Sequence, residues 1–177
     1  PPAADAAAEA DRSFAVDDPA RRLSVTLNTV YALQGVADGQ LQLRLGDQFA
    51  AVGHGTYARF PSEGKGTSTA VFRGGGVGGQ WHVRDFERGW FVGADLETFE
   101  VGLEDGALLE LLDMLGLEVD LTVRFVQFTP RVGWKITGKQ GLTASADVGV
   151  GPRTIHAGPE KARTVALTGG VHLGWSF

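Results

Sequence analysis

An all-β fold of eight antiparallel strands in up-and-down order is predicted by three features of the chain. Large apolar residues recur at every second position from Leu23 onward, and clusters of turn-forming residues break the pattern at intervals. Glycine accounts for 26 of the 177 residues, about twice ordinary usage. The chain length suits one domain, and the apolar content of 43% is that of a folded protein.

The strands follow in order. Leu23–Gln34 places Leu23, Val25, Leu27, Tyr31 and Leu33 on one face, with Ser24, Thr26, Asn28 and Gln34 on the other. A turn at "VADG" leads to Gln40–Leu45, where three leucines alternate with Gln40, Gln42 and Arg44. Gly46-Asp47 turns the chain into Phe49–Arg59, and the loop "FPSEGKGTS" leads to Thr69–Arg84, with "GGGVGG" in its middle. "DFERG" turns into Trp90–Val101, and a long loop covers 102–120. Leu121–Thr137 sets Phe128, Val132, Trp134 and Ile136 against Gln127, Arg131, Gly133 and Lys135. "GKQG" leads to Leu142–Gly151, "PRTIHAGPEKA" forms a loop, and the closing strand runs to Phe177. Before Leu23, the Pro/Ala/acid-rich segment 1–22 lacks strand periodicity and reads as a flexible tail of a processed, exported chain.

The connections after strands two, four and six are short, and those at the other end are longer except the first. All four tryptophans fall at the short-turn end: Trp81 and Trp90 flank the second short turn, Trp134 precedes the third, and Trp175 sits beside Phe177. That is the arrangement of a membrane barrel, with short periplasmic turns and an aromatic girdle. No apolar run reaches the ~18 residues of a membrane helix, and barrel strands need none. The net charge of −5 and the absence of a basic stripe argue against nucleic-acid binding. With no cysteine, there is no disulfide framework and no thiolate metal site.

Which face points inward decides between lipid and water. The polar face holds Gly, Ser and Thr with a few charges: Arg44, Arg131 and Lys135 against Asp95, Glu97 and Asp147. Equal numbers of each sign suit a confined lumen, and bulky Leu, Val, Trp and Phe suit lipid. A soluble ligand-binding barrel, with the same alternation turned inside out, is the competing reading. The glycines of "GGGVGG" relieve crowding in a narrow barrel, since no Lys-Ser/Thr follows them to make a phosphate loop.

The stretches "LSVTLNTVYALQGVADGQLQLRLGDQFAAVG", "RVGWKITGKQGLTASADVGVG" and "GGVHLGWSF" resemble the small outer-membrane β-barrel superfamily, of OmpA-transmembrane-domain or OmpX type, and uncharacterised Gram-negative barrels. The resemblance covers about 23–177 and implies an outer-membrane location. It also implies lipid and lipopolysaccharide as surroundings, and recognition of the C-terminal strand, ending on Phe177, by the barrel-assembly machinery. It implies no reaction.

His54, His82, His156 and His172 lie in separate elements without metal-ligand spacing, so no metal or cofactor is expected. His172 is read as a lumen residue bonded to Ser, Thr or carboxylate. A lipid-modifying barrel enzyme needs a Ser/His pair facing lipid, whereas Ser176 and His172 face inward, roughly 13 Å apart along a strand. Asp95, Glu97, Arg131 and Lys135 read as a lumen salt-bridge ladder rather than an acid/base pair. In loop 102–120, Leu108, Leu111, Leu112 and Leu115 recur at helical spacing, which predicts a short helix. Its apolar face is a docking surface for the rim, a partner or a second copy, and the surrounding acids are candidate ligands for divalent cations. The expectation is a non-catalytic outer-membrane barrel with a structural, anchoring or partner-binding role.

Overall fold

The computed structural model describes residues 20–61, 69–104, 114 and 122–177. Eight antiparallel strands close into a barrel in chain order: β1 Leu23–Asn28, β2 Val36–Arg44, β3 Phe49–Pro61, β4 Thr69–His82, β5 Arg88–Glu104, β6 Val123–Thr137, β7 Leu142–Ala157 and β8 Glu160–Ser176. The register fixes the shear. Following partners from Leu27 through Gly39, Gly55, Gly75, Thr98, Val126 and Thr154 arrives at Arg163. Leu27's own partner across the seam is Leu173, ten residues along β8 from Arg163. A barrel of eight strands with that stagger has strands tilted by about 40° and an interior that side chains can nearly fill.

The alternation maps directly onto the wall. Ser24, Thr26, Gln40, Gln42, Gln127, Thr129, Lys135 and Ser145 are buried in the lumen, while Leu27, Leu41, Val77, Leu96, Val150 and Leu167 are exposed outside. Pro130, which has no N–H to donate, interrupts the β6–β7 ladder, and the same register resumes at Arg131–Gly149.

Three sequence readings are corrected. The first strand ends at Asn28 instead of Gln34, and a one-turn helix, α1 (Thr29–Ala32), follows it. This helix lies between β1 and β2, where strand was expected; the short helix expected in loop 102–120 falls outside the described residues apart from Met114, which is helical. The Asn28 side chain caps it by accepting from the Tyr31 N–H at 3.3 Å. Gly35, at φ +78°, ends the turn, a conformation that side-chain-bearing residues rarely adopt. "VADG" therefore opens β2 as strand. "PRTIHAGPEKA" is not a loop either: β7 and β8 run on through it, with only Gly158-Pro159 between them. The leucine-rich part of loop 102–120 lies outside the described residues, Met114 excepted.

Because β1 is short, it pairs with β8 only from Ser24–Ser176 to Asn28–His172. Above that level α1 stands between β8 and β2, and the Thr29 hydroxyl donates to the Val171 carbonyl at 2.9 Å. Arg22, from the segment read as tail, is fixed to the barrel by its N–H to the Phe177 carbonyl at 2.7 Å.

Candidate functional site

The lumen is divided into two levels. At the short-turn end the connection between β4 and β5 folds inward and carries Phe86 into the barrel, where it is completely buried. Asp85 holds the turn by accepting the Arg88 N–H at 2.7 Å. Lys135 Nζ sits 3.6 Å over the Phe86 ring, and His82 packs edge-on at 5.4 Å. Lys135 also donates to Gln42 Oε1 at 2.7 Å, and Arg44 lies 5.9 Å from the Phe86 ring centre. Glu87, also fully buried, meets Arg21 at 3.2 Å, and Arg21 bonds the carbonyls of Gly138 and Lys139. Beside them Thr137, Thr143 and Ser176 form a hydroxyl chain with spacings of 3.0 and 2.7 Å. This end is a packed plug.

The second level is built around Arg131. Its guanidinium pairs with Asp95 and lies 3.7 Å from Glu97 and 3.8 Å from Asp147. Two histidines complete the array: His54 Nε2 is 3.1 Å from Glu97, and His172 Nε2 is 3.0 Å from Asp147. Glu97 further accepts from Gln127 and from the Thr129 hydroxyl, the latter at 3.0 Å. "GGGVGG" makes this cluster possible. A side chain at Gly76 would overlap His54 and Glu97, and one at Gly78 would overlap Asp95.

Above the cluster the lumen opens into a cavity of about 340 Å³ toward the end where Phe60 lies. Its wall on β3 to β6 is aromatic, with Phe60, Phe72, Phe99 and Phe125, and Phe72 stacks on Phe99 at 5.4 Å. The opposite wall is α1 with Thr168 and Gly169, and the floor is the Arg131 cluster. Asp38 enters the cavity held by Asn28 at 3.1 Å and Thr56 at 2.7 Å. Arg153 donates to Gln127 at 2.7 Å and lies over Phe125.

The seven charges read from the sequence as one lumen network all face into the barrel, five of them buried and Arg131 and Asp147 half-buried, but they split between the levels. Asp95, Glu97, Arg131, Asp147 and His172 belong to the cluster, while Lys135 and Arg44 belong to the plug, where Arg44 also reaches Asp47 at 3.4 Å. Sequence reasoning did not place His54 in the cluster, although its inward parity on β3 carried that information. It also missed Phe86, because a turn residue has no periodicity to reveal its direction. The aromatic wall escaped notice because its members sit on the face read as polar. Leu108, Leu111, Leu112 and Leu115 lie outside the described residues.

Outside, four strands share one pattern. The outward series runs from an aromatic at the short-turn end to an arginine at the other: Phe49 to Arg59, Trp81 to Arg73, Trp134 to Arg124 and Trp175 to Arg163. Among the described residues no charged side chain faces outward between these limits. Arg73 and Arg124 share Glu100, at 2.9 and 3.7 Å. No family model, curated protein or solved structure matches this chain.

Proposed function

We propose that the chain is an outer-membrane barrel of a Gram-negative bacterium that works without catalysis as an anchor or docking platform. The supporting observation is the uncharged outward band. Trp134 and Arg124 are ten residues apart on β6, which is about 25 Å along the axis at ~3.3 Å per residue and a tilt of about 40°. That matches the apolar height of bacterial barrels, roughly 25 Å. The tryptophans then sit at the periplasmic interface, with Phe177 beside them for the barrel-assembly machinery. The arginines lie at the level of lipopolysaccharide phosphates, which guanidinium groups bind in bidentate fashion. The Phe86 plug argues against conduction. Loop 102–120 joins strands at the arginine end, where a partner or a second copy would meet it.

The test is solubility and gel mobility. The chain made without detergent should be insoluble, and after refolding in micelles the unboiled sample should migrate differently from the boiled one. A detergent-free soluble monomer with no heat-dependent shift overturns the proposal. Leu96→Arg, placed mid-band, should lower stability in bilayers by about 2–4 kcal/mol, and an unchanged value would count against lipid contact.

A further inference from the structure

The half-open lumen has the composition of a ligand site. Its volume of about 340 Å³ falls within the range of small-molecule pockets, about 300–1,000 Å³. Such pockets combine mostly apolar walls with a few convergent polar groups, as this one does. Two features specify the ligand's chemistry. First, the charges do not balance: Arg131 and Arg153 stand against Asp38, Glu97 and Asp147 in the lining, with Asp95 behind them on Arg131. One guanidinium, Arg131, serves three carboxylates, so carboxylates outnumber guanidinium groups around the cavity. Second, Phe60, Phe72, Phe99 and Phe125 line one wall of the space above the floor, and aromatic faces attract cations. Arg153 already lies over Phe125, 5.7 Å from the ring centre.

We propose that this cavity binds a small apolar organic cation, of the arylalkylammonium or quaternary ammonium class. The apolar body lies against Phe72 and Phe99, and the cationic head points toward Glu97, Asp147 and Asp38. The plug beneath excludes water and stops the ligand from passing through, so the barrel holds it rather than conducts it. The inference concerns the lumen alone and stands whether the outer face meets lipid or water.

Titration calorimetry on the refolded full chain in zwitterionic micelles, with micelle blanks subtracted, tests it. The probes are benzyltrimethylammonium, benzyl alcohol and benzenesulfonate. The cation should bind one to one, with the neutral and anionic probes about tenfold weaker or worse. Glu97→Gln should weaken the cation by about tenfold or more. Thr168→Phe, which fills the cavity from β8 and leaves the charge cluster intact, should do the same if Glu97→Gln fails to fold. Equal binding of the three probes, no binding of the cation, or wild-type affinity in the folded Thr168→Phe protein would overturn the proposal.

Discussion

The two halves of the lumen are built from the same eight strands and the same alternation, yet one is solid and the other hollow. At the short-turn end a connection folds inward, and Phe86 fills the axis between Lys135 and His82, with Phe91 also against His82. At the far end no described side chain crosses the axis, and the wall opposite the phenylalanines is Thr168 and Gly169. Alternation decides which residues face in. Volume, and whether a turn bends inward, decides whether the inside is filled. The Arg131 cluster is the partition between them.

Breaking the partition should have the largest effect. Gly78→Val places a branched side chain against Asp95 and the Ala94 carbonyl. The expected outcome is a chain that no longer refolds, seen as loss of the heat-dependent gel shift. Arg131→Met keeps the length but leaves three buried carboxylates without their cation. Urea unfolding in micelles, followed by tryptophan fluorescence, should show a loss of about 3–5 kcal/mol. The contrast between halves is sharpened by one substitution made twice. Phe86→Leu removes the ring beneath Lys135 and should cost about 1–2 kcal/mol, whereas Phe72→Leu, beside the cavity, should cost less. Equal costs would mean that the plug is no better packed than the cup. Arg124→Ala, at an exposed ion pair, should change stability by less than about 1 kcal/mol.

Much of this barrel was legible because a two-residue period is unambiguous over ten or more residues. The inward positions of Asp95, Glu97, Arg131, Asp147 and His172 follow from counting along their strands. Counting misleads where a local interaction outweighs the period. Tyr31 and Leu33 continue the alternation of β1, but the Asn28 cap and the positive φ of Gly35 make a helical turn there. In 152–162, the Pro, Gly and Lys residues that suggest a loop are tolerated in a hairpin that extends past the apolar band. Partners across the lumen were beyond reach for another reason. Pairing of His54 with Glu97 depends on one intervening glycine, Gly76 on β4, and on the register of β3 and β5 with it, neither of which is local in the chain.

The shortness of β1 has a consequence for how the barrel closes. Five residues of β1 pair with β2 and five with β8, and the β8 partners lie about 150 positions away in the chain. Such a distant pairing gains little until the other seven strands are in place, because the loop it closes is the longest in the molecule. The seam between β1 and β8 is thus the last joint to be made and the first to come loose. Above Asn28 the backbone edge of β8 faces α1 instead of a strand. If the barrel parts, its hoop should open along that line, with the eight strands still joined as a curved sheet.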